Sequence, residues 1–201
     1  DKTQMVFSDT GTSGLNVREL RDGQIFVASG PGIRIKQGAI YAHLAFLNSR
    51  ISSYYIRLLS PKLTIAAGYI AKIPVCPEII ESALLNECGR KCLEAKKRRL
   101  SKRPYNMEFR NIILGEHISL EDLAHRWFIQ DIEDEWIQLQ NENLIDEYIC
   151  SVFDLTQHDL SIIDDYIGTK LIKSRETYEA INEEQLCIVL KNALDYNCNV
   201  S

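Results

Sequence analysis

The chain has 201 residues and a formal net charge of −5, with 45% hydrophobic and 25% charged residues. This composition is ordinary for one or two small domains with a hydrophobic core, and it excludes a disordered or collagen-like chain. No run of 18 apolar residues occurs, so we expect no transmembrane helix, and we also expect no signal peptide. Because the chain begins at Asp1 without a methionine, we expect an excised fragment or a processed chain.

The six cysteines never form a CxxC pair and lie mostly in apolar helical contexts: Cys76, Cys88, Cys92, Cys150, Cys187 and Cys198. This spacing favours free, packed thiols over a disulfide framework or a zinc site. We therefore expect a cytoplasmic protein with no bound metal.

The charge is distributed unevenly along the chain. Residues 1–86 carry nine basic and six acidic groups, and residues 87–115 carry nine and three. Residues 116–201 carry five basic and nineteen acidic groups. A polyanionic partner would therefore meet the first half and avoid the second. The alternative, a solvated basic helix followed by an acidic helical surface, stays open.

The first part of the chain has β character, over residues 12–37. Residues 16–20 and 24–28 flank Asp22-Gly23, a step that is typical of a tight hairpin. Residues 33–36 alternate apolar and basic side chains, which predicts a strand with Arg34 and Lys36 on one face.

Helical periodicity begins at Ile40 and continues to Leu58, where Ser60-Pro61 ends the predicted helix. Residues 62–75 are predicted to be irregular with β character. Ser119 and Thr156 are predicted N-caps, Gly168 a helix end, and Asn141–Asn143 a candidate break. Further helices are predicted at about 78–101, 119–153, 157–167 and 183–195. The predicted fold is α+β, with a small mixed α/β unit over residues 1–76 and a mainly helical unit over residues 77–201.

Three motifs suggest catalysis or cofactor binding but fail on their context. The glycine-rich turn at residues 28–32 precedes a predicted strand, whereas a phosphate-binding loop needs a helix there. Glu94-Ala-Lys96 matches the end of a nuclease motif, but the upstream acid, Glu78, is predicted on the same helix and about 24 Å away at 1.5 Å per residue. The histidines, which are scattered, have no ligand-like neighbours. We predict no catalytic residue.

Basic residues are the remaining candidates, because lysine and arginine hold DNA phosphates and read base edges. Ordinary solvation is the alternative for each of them. The predicted DNA-binding set is Arg18, Arg21, Arg34, Lys36, Arg50, Arg57, Lys62, Lys72, Lys96, Lys97, Arg98, Arg99, Lys102 and Arg103.

Four segments in sequence form one continuous signature. They are Phe46-Leu-Asn-Ser-Arg50, Tyr54-Tyr55, Leu58-Leu-Ser-Pro-Lys-Leu63 and Gly68-Tyr-Ile-Ala-Lys-Ile-Pro-Val75. This signature resembles the specificity region of BREX-type and type IIG adenine-specific DNA methyltransferases of restriction-modification systems. More distantly, it is similar to the end of the target-recognition domains of type I specificity subunits. Residues 120–155 also resemble the C-terminal helical part of the BREX-type enzymes, so the resemblance covers roughly residues 12–165.

The resemblance implies a module that selects the DNA sequence for a methyltransferase, with a helical region that spaces or docks it. The partners it implies are double-stranded DNA and the catalytic domain of the same parent chain, in a phage-defence or restriction-modification setting. S-adenosylmethionine is implied for the parent enzyme but not for this chain. The N-P-P-Y/F catalytic tetrapeptide of that family is missing, since no two of the five prolines are adjacent. The alternative is a stand-alone helical adaptor that binds proteins through the acidic face of residues 116–201.

Overall fold

The computed structural model describes residues 4–11, 14–21, 23–103, 105–106, 109 and 120–168, with only the backbone of residues 120, 121, 124 and 125. Within these residues the fold is α+β, as predicted, with a small three-stranded antiparallel sheet and seven helices. The predicted helix at residues 183–195 lies outside the described residues.

The sheet consists of three two-residue strands, β1 (Met5–Val6), β2 (Arg18–Glu19) and β3 (Gly32–Ile33). β1 lies in the middle, and Met5 is aligned with Glu19 on one side and with Ile33 on the other. Because both outer strands run antiparallel to β1, they are parallel to each other. The connection between them, residues 20–31, must therefore return along the sheet before β3 begins.

The predicted hairpin across Asp22-Gly23 is wrong for this reason. Residues 24–28 form no strand, and β2, an outer strand of the sheet, pairs with β1 and not with the segment that follows it. The predicted strand at residues 33–36 is reduced to β3, although Arg34 and Lys36 are both exposed.

The predicted helix from Ile40 is two helices, α1 (Ile40–Asn48) and α2 (Arg50–Leu59). Ser49 between them is extended (φ −67°, ψ 161°), and its side chain accepts a hydrogen bond from the backbone N–H of Ser52 at 3.2 Å. This N-cap begins α2 in a new direction, while the apolar spacing continues unchanged through the break.

The segment after α2 is not β structure but contains two short helices, α3 (Ala67–Ile70) and α4 (Pro77–Ile80). Its β character is limited to a single bridge between Thr10 and Thr64. The helix predicted at 78–101 begins later, as α5 (Ala83–Ser101), because Ser82 caps it by accepting from the N–H of Leu85.

The last two described helices are α6 (Leu120–Val152) and α7 (Gln157–Ile167). α6 runs without a break at Asn141, whose side-chain amide donates to the carbonyl of Ile137 within the same helix at 2.7 Å. Thr156 is the N-cap of α7, as predicted, and forms a capping box with Asp159, while Gly168 ends α7 with a φ of +87°. These two predictions are confirmed.

One hydrophobic core joins the sheet to the helices. α5 packs against both α1 and α6, and buried side chains from Met5 in the sheet to Ile149 on α6 belong to a single cluster. The predicted boundary between residues 76 and 77 crosses this core, and the division into two units stays a prediction.

Candidate nucleic-acid interface

The basic end of α5 is largely neutralised within the protein. Its cations pair with carboxylates of α6 and β2: Lys97 with Glu19 at 2.8 Å, Arg98 with Asp134 at 2.7 Å, Arg99 with Glu135 at 3.1 Å and Lys102 with Asp131 at 3.9 Å. Burial lowers the pKa of Lys102, and the Asp131 carboxylate opposes that shift. The acidic helix α6 therefore lies against the basic cluster of α5.

Two further predicted DNA-binding residues hold the scaffold together. Arg50 is paired with Asp164 on α7 and donates to the carbonyl of Gly168 at 2.6 Å, while its backbone N–H donates to Asp146 on α6. Arg57 donates to the carbonyl of Gly11, next to the sheet. Their guanidinium groups connect parts of the chain that are far apart in sequence, which is a structural role and not a contact with phosphate.

A cleft between β2, α5, the α1–α2 junction and α6 brings together five of the predicted residues. Its volume is about 710 Å³, and the basic residues lining it are Arg18, Arg21, Arg50, Lys96 and Lys97. Arg18 and Lys96 are exposed and form no ion pair with any described residue. They are the cations of this cleft that a ligand can reach most directly.

The floor of the cleft is apolar and is formed by Leu44, Ala45, Leu93 and Ile145. Gln138 also lines the cleft, and its side-chain amide donates to Glu142 at 2.7 Å. The buried Oε1 of Gln138 has no hydrogen-bond partner among the described residues. The cleft thus has an apolar floor and an unused acceptor. On the side of β2 and α5 its rim is basic, with Glu19 as the acidic residue among the cations, and Glu142 and Asp146 line the side of α6.

The remaining predicted residues lie outside this cleft. Lys72 stands over the ring of Tyr69 at 5.2 Å, and Arg103 donates to the hydroxyl of Tyr105 at 3.3 Å. Arg34, Lys36 and Lys62 are exposed, on the segment after β3 and the segment after α2. Nine of the fourteen predicted residues therefore do not line the cleft.

The other motifs gain no support as sites. Glu94 is paired with Arg90 at 2.7 Å, and the structure separates Glu78, on α4, from Glu94, on α5. The turn at residues 28–32 is followed by β3, as predicted, and not by a helix. Among the described residues, no group of three His, Cys, Asp or Glu side chains could hold a metal ion.

The described cysteines, Cys76, Cys88, Cys92 and Cys150, are free thiols. Burial raises the pKa of Cys88 and of Cys150, so neither is an activated thiolate. Cys187 and Cys198 lie outside the described residues.

Sequence reasoning missed one feature of the connection between β2 and β3. Ile25, Phe26 and Val27, which were predicted to lie in a strand, are exposed on the connection between β2 and β3. Three consecutive apolar residues without alternation with polar ones were the available signal, since a half-buried strand alternates.

No protein-family model, curated protein or solved structure matches this chain. In the ranges that the structure describes, no helix combines the length and the apolar character needed to cross a membrane.

Proposed function

We propose that this chain recognises double-stranded DNA for an adenine-specific DNA methyltransferase, whose catalytic domain and S-adenosylmethionine site belong to the same parent chain. The residues that resemble the specificity region of such enzymes support this proposal. A cytoplasmic location, where the parent enzyme would meet DNA, is part of it.

The observation that carries the proposal is the basic rim of the cleft. Arg18 on β2 and Lys96 on α5 are 78 positions apart in the chain, yet both line one cleft. Neither side chain forms an ion pair with a carboxylate of the described residues. Phosphate neutralisation supplies most of the affinity of proteins for DNA. A cavity of about 710 Å³ is too small for a duplex, so the rim would contact one strand at the mouth of the cleft.

The signature residues that resemble the methyltransferases have structural roles that fit a recognition scaffold. Asn48 bonds the chain before β2, Ser49 turns the chain between α1 and α2, and Arg50 connects α2 to α7. These contacts fix the sheet and its connections against the helices. Side chains that read base edges would then be carried by the loops around this scaffold.

The ion pairs of α5 narrow the predicted interface. Lys97, Arg98, Arg99 and Lys102 already have carboxylate partners, so a phosphate would have to displace them. We therefore assign the first phosphate contacts to Arg18 and Lys96, with Arg21 beside them on the same rim.

The test is a fluorescence-anisotropy titration of the full chain against a duplex of about 30 base pairs, at salt concentrations between about 50 and 200 mM. Arg18→Ala and Lys96→Ala should each weaken binding several-fold and reduce the slope of log K against log salt by about 1. Lys91→Ala is the matched control, because Lys91 lies on the same helix, outside the cleft.

Two results would contradict the proposal. One is the absence of salt-dependent binding by the unaltered chain, which would favour the helical adaptor instead. The other is a Lys91→Ala effect as large as that of Lys96→Ala, since the binding would then follow net charge and not the cleft.

A further inference from the structure

The connection between β2 and β3 carries three consecutive apolar side chains into solvent. Ile25 is 88% exposed, Phe26 49% and Val27 61%. Exposed apolar residues are usually scattered singly, and a contiguous run marks a contact surface. The run is the most exposed apolar segment of the described chain, so it requires an explanation outside the hydrophobic core.

Hydrogen bonds at both ends hold this loop in place. Before the apolar residues, the backbone N–H of Arg21 donates to the side chain of Gln24 at 2.9 Å, and the N–H of Gln24 donates back to the Arg21 carbonyl at 3.1 Å. After them, the N–H of Gly30 donates to the Val27 carbonyl at 2.9 Å. The ends of the connection are bonded to the chain on either side of β1, where the N–H of Leu20 donates to the Gln4 carbonyl at 2.8 Å and the N–H of Phe7 donates to the Pro31 carbonyl at 3.2 Å.

The charged residues that flank the tip in sequence indicate what kind of surface could cover it. Arg18 and Arg21 precede it, and Arg34 and Lys36 follow it, against Glu19 and Asp22 of the same segment. Glu19 is already paired with Lys97. An apolar tip between basic flanks is complementary to a surface that has anionic edges and an apolar interior.

We propose that Ile25, Phe26 and Val27 form a wedge that enters a groove of the DNA duplex and inserts between stacked base pairs. This inference rests on the proposed DNA recognition. The faces of stacked bases are apolar, and phosphates border every groove. A duplex therefore offers both the apolar interior and the anionic edges that this loop requires. Apolar side chains that separate a base step make the DNA bend toward more protein contacts, at a cost of a few kcal/mol per step.

The experiment compares two duplexes of about 30 base pairs that are identical except for one central mismatch. Because a mismatch lowers the cost of unstacking, the unaltered full chain should bind the mismatched duplex about tenfold more tightly. In Ile25→Ser/Phe26→Ser this ratio should fall to about one, with an unchanged salt dependence, because the phosphate contacts remain. Val75→Ser, at a similarly exposed position outside the loop, should keep the full ratio.

A second readout reports the insertion itself. 2-Aminopurine beside the mismatch should brighten when the unaltered chain binds and should not brighten with the double variant, since unstacking relieves its quenching. Both variants change only exposed side chains, and circular dichroism should verify that they remain folded.

Several outcomes would overturn the wedge. If the unaltered chain binds both duplexes equally, or if the double variant keeps the mismatch preference, DNA recognition can stand but the wedge does not. If sedimentation shows that the unaltered chain and Val75→Ser are dimers but the double variant is a monomer, a second copy of the chain covers the loop instead. If the unaltered chain binds neither duplex, the proposed function and the wedge fail together.

Discussion

Arg98 on α5 donates from its Nε to the carboxylate of Asp134 on α6 at 2.7 Å, and Asp134 is only 3% exposed. The second carboxylate oxygen of Asp134 is buried without a hydrogen-bond partner among the described residues. A buried carboxylate is costly unless a cation and hydrogen bonds compensate it. Among the described residues, the Arg98 guanidinium is the ion-pair partner that compensates this buried carboxylate.

Removing that guanidinium group should destabilise the fold. Arg98→Ala leaves the Asp134 charge buried and unpaired, and we expect the free energy of unfolding in urea to fall by about 1–3 kcal/mol. This expected loss of unfolding free energy is smaller than for a fully buried ion pair because the Arg98 side chain is itself 44% exposed. Arg103→Ala is the control, since the exposed side chain of Arg103 bonds only Tyr105 among the described residues, and its removal should change stability little.

A double-mutant cycle separates the pair from other effects of the substitution. Arg98→Ala combined with Asp134→Ala removes both partners, so the combined loss should be smaller than the sum of the two single losses. Additive losses, or an Arg98→Ala effect no larger than that of Arg103→Ala, would show that the pair does not hold α5 against α6.

Gly89 permits the close crossing of α1 and α5. A Cβ at this position would lie 2.2 Å from the carbonyl oxygen of Tyr41, which is backbone and cannot rotate away. Gly89→Ala should therefore force the two helices apart and lower the free energy of unfolding by about 3 kcal/mol. Gly68→Ala is the matched control: a Cβ there meets no atom within 4 Å, so the thermal midpoint should stay or rise slightly. Equal effects of the two variants would exclude steric contact as the cause.

The sequence predicted the helices better than the sheet, for a physical reason. α7 shows its period, its cap and its terminating glycine within a dozen residues, so local rules suffice. The strands are two residues long, too short for an alternating pattern, and β2 pairs with a strand that lies before the predicted β region. The hairpin signal at Asp22-Gly23 was local, whereas the pairing is not.

In the candidate site, too, the sequence predicted local features but not contacts between distant segments. Residue type identified Arg18 and Lys96 as candidates, but no local pattern reveals that β2 and α5 border one cleft. The run of cations at residues 96–103 was the strongest local signal, and half of these cations form ion pairs with carboxylates of α6. Ion pairing between helices far apart in sequence depends on tertiary packing, which charge counts cannot supply.

Asn48 ties the sheet to the end of α1, because its amide is held on both sides. Its side-chain oxygen accepts from the N–H of Val17 at 2.8 Å, and its nitrogen donates to the carbonyls of Val17 and Leu44, each at 3.0 Å. Asn48→Ala should lower the free energy of unfolding by about 1–3 kcal/mol through the lost hydrogen bonds.

Asn48→Asp distinguishes hydrogen bonding from side-chain volume. Aspartate has the same shape and still accepts from the Val17 N–H, but it turns a donor into an anionic oxygen against two carbonyls. We expect at least as large a loss as for Asn48→Ala, measured by urea unfolding at neutral pH. Native-like stability of Asn48→Asp would mean that the two donated bonds contribute nothing.

The capping box of α7 should make its stability depend on pH in the acid range. The Thr156 hydroxyl and backbone N–H both donate to Asp159, and these hydrogen bonds lower the pKa of its carboxyl below the ordinary value of 3.8. Since the folded pKa is the lower one, the contribution is complete above 3.8 and is lost as the pH falls through the folded value. Urea unfolding of the unaltered chain and of Asp159→Asn, followed by circular dichroism below pH 5, should give a stability difference that shrinks with acid. A difference that stays constant would mean that the ionised carboxylate of Asp159 does not stabilise α7.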